Sequence, residues 1–328
     1  MIFSGARGMF PIFAKRLLLI PVIYLVVGNV KERRSLSVLL VALSVTMVIV
    51  SLAGIQKYVS GPGGLEGRLY LFHHYMTSGG ILMMMGLMAF SFGISGAPAR
   101  WRLTAWVSGL LMLACLVFTF TRSSWLGFLA GFLVMAMFRS KKLIVALAVV
   151  LAVFLLLAPT SFRDRATSIF NPHHRNNVER LQMWRAGFEI MKGHPFTGVG
   201  DVDLTEWYEP YRPPEATEKH GHLHNNLVMF GATLGVPGLI FFLVLSMKIL
   251  VMELNIARSI PGKEWLLKST AVGGLASYVG FQVNGLFEWN FGDAEIAMLL
   301  WLTVGLTLCV DRMRRAQAEH VFESRPRS

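Results

Sequence analysis

Residues 139–165 read RSKKLIVALAVVLAVFLLLAPTSFRDR, and this stretch decides the class of the fold. Its segment 143–158 is apolar throughout, is bounded by Lys and Arg, and approaches the ~20 residues that a helix needs to cross a bilayer. Similar runs recur along the 328-residue chain, which is 54% hydrophobic and 15% charged. A soluble domain carries roughly 25% charged residues. The sequence therefore predicts an all-α fold, a polytopic membrane helical bundle.

Working outward from this run, we predict about nine transmembrane segments in one integral membrane domain that comprises residues 1–328. The fifth segment is short, and the seventh is interrupted by Gly235, Pro237 and Gly238. A half-helix over 226–234 is expected before that interruption. The nine predicted segments are 10–29, 36–55, 79–97, 103–121, 124–138, 142–160, 226–252, 267–287 and 294–310.

The placement of positive charge predicts the orientation. The net charge is +12, but many Lys and Arg stand in short runs between apolar segments, as in Lys31-Glu-Arg-Arg34. This arrangement is typical of cytoplasmic loops and argues against nucleic acid as the partner. The N-terminal end is the exception, because it carries Arg7, Lys15 and Arg16 on the predicted outer side. Either the first segment does not cross the membrane fully, or upstream spans are missing, and we favour the second explanation. No removable signal peptide is recognisable.

The one long hydrophilic segment, 161–225, is expected on the outer side. A helix is predicted within it over 177–192, and Gly193-His-Pro195 ends that helix. A loop of this length without a core of its own is often functional. The predicted apolar face of its helix consists of Leu181, Trp184, Phe188 and Met191.

Histidines concentrate on the same predicted side. The densest group is His220-Gly-His222-Leu-His224-Asn225-Asn226, at the start of the seventh apolar segment, where an Asn can cap a helix. Three roles remain open for this group: a metal site, a structural role at a helix start, or catalysis and substrate binding. The eight histidines of this side are His73, His74, His173, His174, His194, His220, His222 and His224.

Arginines accompany these histidines. Arg122 stands between two apolar segments, Arg180 lies on the predicted loop helix, and Arg68 precedes His73. One guanidinium group can bind two phosphate oxygens at once, so the three arginines are candidate ligands of an anionic substrate. Two acids, Glu288 and Asp293, fall in a short outer turn and are candidates for a supporting role.

Other chemistries lack support in the sequence. There is no P-loop and no dinucleotide-binding fingerprint, so neither ATP-driven nor nicotinamide chemistry is predicted. Cys115 and Cys309 both lie inside apolar runs. A disulfide framework or a cysteine-based metal site is therefore not expected.

Four pieces of sequence, in order, resemble the O-antigen ligase and polymerase superfamily of bacterial inner-membrane proteins. They are 121–127 (TRSSWLG), 180–184 (RLQMW) with 194–200 (HPFTGVG), 222–225 (HLHN), and 235–238 (GVPG). The resemblance covers about residues 60–310. It implies a glycosyltransferase that moves a glycan from undecaprenyl diphosphate to an acceptor sugar, lipid A–core or protein at the periplasmic face. It further implies no nucleotide donor and no metal or other cofactor.

Together, residues and resemblance give a candidate site. We expect His224, or alternatively His222, to be the base that activates the acceptor hydroxyl. Arg122, Arg180 and Arg68 are expected to bind the diphosphate, with Asn225, Glu288 and Asp293 in support. Two other functions are kept as alternatives. One is a transporter or flippase of lipid-linked or anionic solutes, favoured by the broken seventh segment; the other is a membrane metal-binding protein.

Overall fold

The computed structural model describes residues 17–61, 67–211 and 221–323, and every regular element within these ranges is helical. The prediction of an all-α fold is confirmed for this part of the chain. Two short 3₁₀ helices, Glu209–Tyr211 and Asn290–Gly292, accompany the α-helices. The α-helices are α1 (Val22–Asn29), α2 (Arg33–Ser60), α3 (Tyr75–Gly93), α4 (Ala99–Phe118), α5 (Arg122–Arg139), α6 (Lys141–Leu157), α7 (Thr160–Thr167), α8 (Arg175–Gly193), α9 (Thr205–Tyr208), α10 (Asn226–Ser259), α11 (Trp265–Asn284) and α12 (Ala294–Glu323).

Five of these helices are long and apolar enough to cross a membrane: α2, α3, α4, α10 and α12. The predicted count of nine spans is therefore not confirmed. The other predicted segments also contain helices, but α6 has only 17 residues and α11 is rich in Gly, Ser and Thr. The part of the first segment that the structure describes contains the eight-residue α1. Arg7, Lys15, Arg16 and His220 lie outside the described residues.

The centre of the bundle is built on small residues. Gly127 and Gly131 of α5 face the backbone of α11, where an added Cβ would lie 2.6 Å from the carbonyl oxygens of Gly280 and Ala276 respectively. Such a Gly-x-x-x-Gly pair lets two helices approach until their backbones touch. Helix α3 packs against both and is buried over almost its whole length. The three helices form a rigid frame for the loops above them.

The bundle has two chemically different ends. At one end Arg33 forms an ion pair with Glu264, and Arg312 donates a hydrogen bond to the carbonyl oxygen of Val27 at 2.7 Å. We call this the basic end, because the short Lys- and Arg-rich connections meet there. At the opposite end the Asn226 N–H donates to the carbonyl oxygen of Gly285 at 2.7 Å. We call this second end the site end, since all eight candidate site residues lie there.

Helix α8 confirms the predicted loop helix, but its predicted apolar face is wrong. Leu181 is 46% exposed and Phe188 49% exposed. The buried face is shifted, because α8 packs on the start of α10 through its smallest residues. An added Cβ at Gly187 would lie 2.3 Å from the Val228 side chain, so this close approach excludes bulky side chains. The buried residues of α8 are Met183, Ala186, Gly187 and Ile190.

Helix α10 is broken at Gly235, which has φ 70° and ψ −172°. The segment 195–200 supplies the hydrogen bonds that the break removes. Its N–H groups donate to the carbonyl oxygens of Ala232 and Thr233 at 3.0 and 2.9 Å, and Val236 N–H donates to the Pro195 carbonyl oxygen at 2.7 Å. The predicted half-helix before the interruption is confirmed. At this break, the segment 195–200 holds the first turns of α10 in place.

Replacing Gly235 by Ala is expected to destabilise the protein by at least about 1 kcal/mol, since a positive φ is costly for a residue with a Cβ. The added Cβ would also lie 2.7 Å from the Pro195 carbonyl oxygen. Thermal unfolding of the purified protein in detergent measures the effect. Gly193→Ala is the matched control, because nothing lies within 4 Å of its added Cβ. Equal melting temperatures of the two variants would show that the break at Gly235 does not need a glycine.

Candidate active site

The site is assembled where α10 begins. The Asn225 side chain accepts hydrogen bonds from the N–H groups of Leu227 (2.8 Å) and Val228 (3.1 Å), so Asn225 is the N-cap, one of the two Asn that the sequence offers for this role. Its amide also donates to the carbonyl oxygen of Leu286 at 2.8 Å. This second bond fixes the turn between α11 and α12 against the start of α10. His224, one residue earlier, is thereby held beside that turn.

His224 is bonded to a buried carboxylate. Its Nδ1 lies 2.8 Å from Glu288 Oε1 and 3.1 Å from Oε2. Arg180 approaches the same carboxylate, with Nη2 3.6 Å from Oε2. The side chains of His224, Glu288 and Arg180 are 14%, 8% and 15% exposed. The structure therefore brings together three predicted site residues from α8, the start of α10 and the α11–α12 turn.

The charge of Glu288 is stabilised by these partners. Burial raises the pKa of the Glu288 carboxyl, but the charge and hydrogen bond of His224, together with Arg180, outweigh burial and leave that pKa below its ordinary value. Glu288 is thus a carboxylate at neutral pH. A buried carboxylate on Nδ1 orients the imidazole and fixes its tautomer, with the proton on Nδ1. This is the arrangement of a histidine that accepts a proton at Nε2.

The backbone at His224 is strained. Its φ is 45°, in the left-handed region that residues with a Cβ rarely adopt. Such conformations persist where the surroundings enforce them, and they cluster at functional sites. The enforcing contacts here are the Asn225 cap and the Glu288 bond. With this backbone conformation, the His224 ring lies against the α11–α12 turn.

His222, the alternative base, lies next to His224, with ring centroids 4.2 Å apart. Its charged neighbour is Asp203 on the connection before α9. Hydrogen bonds from Thr205 lower the pKa of Asp203, and His222 lowers it further. His222 therefore belongs to the same site, but the histidine that contacts Glu288 is His224.

Four arginines meet beside this histidine pair. Burial, together with Arg68 and Arg122, lowers the pKa of Arg165 to about 10, and Arg180 contributes to the same lowering. Arg165 therefore stays charged at neutral pH, and four positive groups act on one another. Arg165 Nε donates to the Phe120 carbonyl oxygen at 3.0 Å. Arg165 was not among the predicted site residues. The charged run that contains it is visible in the sequence, but only the rotation of α7 shows which of its two arginines turns inward.

Arg122 has a partly structural role. The guanidinium is buried, and it donates to the Ser168 carbonyl oxygen (2.8 Å), the Ser168 hydroxyl (2.9 Å) and Asn177 Oδ1 (2.8 Å). These bonds join the start of α5 to the loop between α7 and α8. Arg122 thus orders the arginine cluster and contributes its charge.

The predicted ligand Arg68 stands on the far side of the cluster, with its guanidinium 4.3 Å from the centroid of the Tyr75 ring. Next to it is a cavity of about 690 Å³ whose lining is rich in polar groups. Arg68 and Arg165 contribute the positive charge of this lining, so the cavity suits an anion. Its other lining residues are Gly67, Phe120, Ser161, Asp164, Thr167, Ser168, Asn171 and His174.

Asp293 lies at the end of the α11–α12 turn. Its Oδ2 accepts a hydrogen bond from Thr77 Oγ1 at 2.8 Å, which ties the turn to α3. Burial raises the pKa of Asp293, and the negative charges of Glu288 and Glu295 raise it further, although the Thr77 bond acts against them. Asp293 is close enough to Glu288 for their charges to interact. The two carboxyl groups therefore differ in proton affinity although they share one turn.

A second cavity, of about 710 Å³, is lined mainly by apolar residues. It lies between α1, α10, α11 and α12, and Phe230 and Trp289 line it near the site. Trp289 directly follows Glu288 and packs edge-on against Phe230, with centroids 5.2 Å apart. Beyond the break in α10, its lining on that helix runs from Gly238 to Met252, a distance of 14 residues. At 1.5 Å per residue this is roughly 21 Å, more than half of a ~30 Å hydrocarbon core. An apolar groove thus extends from the site deep into the bundle.

Comparison with known proteins gave one partial match. The comparison with curated proteins gave no match. A family model described as O-antigen ligase matches residues 107–243, a shorter region than the one that the resemblance suggested. The matched region contains Arg122, Arg165, Arg180, His222 and His224, whereas Arg68, Glu288 and Asp293 lie outside it. No group of three or more His, Cys, Asp or Glu arranged as a metal site occurs among the described residues. This match covers less than half of the chain, and it shows that residues 107–243 are similar to the O-antigen ligase family.

Proposed function

We propose that this chain is a glycosyltransferase that moves a glycan from undecaprenyl diphosphate to an acceptor at the periplasmic face of the bacterial inner membrane. The observation that carries the proposal is the contact between His224 Nδ1 and Glu288 at 2.8 Å, beside a cluster of four arginines. His224 with Glu288 provides a base, and the arginine cluster provides an anion site. Their juxtaposition is what transfer from a diphosphate-linked sugar requires.

In the proposed reaction, His224 Nε2 removes the proton from an acceptor hydroxyl. The hydroxyl oxygen forms a bond to the anomeric carbon, and the bond from that carbon to the diphosphate oxygen breaks with inversion. The electron pair leaves on the diphosphate, whose charge the arginines stabilise. Glu288 stays ionised and stabilises the imidazolium that forms. Diphosphate is a good leaving group, so the scheme needs no acid catalyst.

The apolar groove beside Trp289 supports a donor that is anchored in the membrane. A lipid-linked glycan places its diphosphate at the membrane surface and its hydrocarbon chain in the bilayer. The polar cavity at Arg68 and Arg165 and the groove between α1, α10 and α12 flank the site and match these two parts. The acceptor is a sugar hydroxyl of a growing glycan, of lipid A–core or of a glycosylated protein, and these three acceptors share the same chemistry.

The direct test is transfer by the purified full chain in detergent, with a lipid-linked oligosaccharide as donor and no nucleotide present. The expected result is a new glycosidic bond together with release of undecaprenyl diphosphate, with and without EDTA. Movement of the donor across a proteoliposome without bond formation would favour a transporter instead. Loss of transfer on chelation would favour a metal site at the histidines.

Labelling of single cysteines tests the proposed sidedness. Phe170→Cys is expected to react with a membrane-impermeant maleimide in intact spheroplasts, because Phe170 is 84% exposed near the site end. Gly262→Cys, at the basic end, is expected to react only after permeabilisation. The native Cys115 and Cys309 are buried and give a low background. Labelling of Gly262→Cys alone in intact spheroplasts would reverse the proposed orientation.

A further inference from the structure

A separate cavity lies at the basic end of the bundle, far from His224. It measures about 240 Å³ and is enclosed by α2, α3, α4 and the start of α11. We propose that this cavity binds one acyl chain of an anionic phospholipid, whose phosphate lies against arginines at its mouth. The site would hold a membrane lipid as a ligand and does not depend on the proposed transfer reaction.

The cavity exists because small side chains face one another across α2 and α4. Ser37 and Ser44 of α2 lie opposite Ala105 and Ser108 of α4. The Ser108 hydroxyl donates to the Thr104 carbonyl oxygen of its own helix at 2.9 Å. This local bond satisfies the hydroxyl group, so it does not make the wall polar. The lining is therefore mostly hydrocarbon although it contains several hydroxyl side chains.

The depth of the cavity fits one leaflet. On α4 its lining runs from Trp101 to Met112, a distance of 11 residues. At 1.5 Å per residue this is about 16 Å, close to half of a ~30 Å hydrocarbon core. The cavity begins at the basic end and stops near the middle of the bundle. A phospholipid acyl chain of that leaflet has this reach.

Aromatic residues frame the mouth. Trp101 and Trp265 both line the cavity, and their ring centroids are 6.4 Å apart. Tryptophan favours the interface between hydrocarbon and headgroups. The cavity therefore opens at the depth where the glycerol backbone of a phospholipid lies.

Positive charge surrounds the same mouth. Arg34 comes three residues before Ser37, and Arg100 comes four residues before Thr104, so each lies on the cavity face of its helix one turn further out. Arg33 is paired with Glu264. Among the described residues, Arg34 and Arg100 have no carboxylate within ion-pair distance, and both are exposed. Two guanidinium groups above an apolar slot complement a phosphate with an attached chain.

The test is lipid retention by the full chain, purified from vesicles of equal parts phosphatidylglycerol and phosphatidylcholine and washed with detergent. Native mass spectrometry is expected to find about one phosphatidylglycerol per chain. The Arg34→Gln/Arg100→Gln double variant should lower this occupancy roughly 10-fold or more, as for loss of a charged hydrogen bond. Ser44→Phe should also lower it, because the larger side chain fills the cavity. The matched control is Val38→Phe, at a position of α2 that is 62% exposed and outside the cavity.

The double variant leaves the packed residues unchanged, so it remains informative if Ser44→Phe fails to fold. Equal retention of the two lipids by the parent chain would overturn the proposed preference for an anionic phospholipid, because phosphatidylcholine carries the same phosphate with a compensating positive charge. Unchanged phosphatidylglycerol occupancy in a folded Ser44→Phe protein would overturn the acyl-chain site. Activity of the site end plays no part in either outcome, so failure of the proposed transferase function would be seen separately.

Discussion

Replacing His224 by Ala is expected to lower the rate of glycan transfer by roughly 10²–10⁴-fold, the usual contribution of a general base. The expectation rests on the 2.8 Å contact with Glu288, which holds the ring in one orientation. Glu288→Gln should act in the same direction, because an amide stabilises the imidazolium less than a carboxylate does. The measurement is the initial rate of transfer from a lipid-linked donor at saturating concentration.

Two controls separate chemistry from folding in that experiment. His173→Ala removes an exposed histidine of the same end and should leave the rate unchanged. His224→Asn removes the imidazole but tolerates the 45° φ better than Ala does, because Asn adopts the left-handed region more readily. A folded His224→Asn protein with near-parent activity would remove His224 from the mechanism. A severe loss in His222→Ala, with His224→Ala active, would transfer the role to His222.

Local signals in the sequence predicted much of the site. An Asn cap at the start of α10 and the break at Gly235 depend on residues only a few positions away, and both are confirmed, with Asn225 as the cap. The histidines and arginines were predicted to lie at one end of the bundle. Apolar runs of membrane length determine which of the connecting loops lie on the same side of the membrane. Glu288 was predicted as a neighbour of the site from its place in a short turn. Its contact with His224, 64 residues away, needed the structure.

The failures have a common physical cause. The buried face of α8 was predicted from bulky apolar residues, but the helix turns Ala186 and Gly187 inward because its contact with α10 leaves no space for larger side chains. Arg165 was missed for a related reason, since the rotation of a short helix depends on tertiary packing and not on its own pattern. Arg122 was predicted as a phosphate ligand, and its three hydrogen bonds to Ser168 and Asn177 reveal an additional anchoring role. That the arginines bind a diphosphate stays a prediction.

Arg180→Lys tests that prediction at the arginine that approaches the same carboxylate as His224. Arg180 is little exposed, lies 3.6 Å from Glu288, and adds to the positive field at Arg165. Lysine keeps the charge but loses the planar fork that binds two phosphate oxygens at once. The KM for the lipid-linked donor is expected to rise about 10–100-fold, as for loss of a hydrogen bond to a charged group worth about 1.5–3 kcal/mol, with a smaller fall in kcat. Arg185→Lys is the matched control, since Arg185 is exposed on the same helix. An unchanged donor KM in Arg180→Lys, at parent stability, would show that Arg180 serves to hold Glu288 and does not contact the diphosphate.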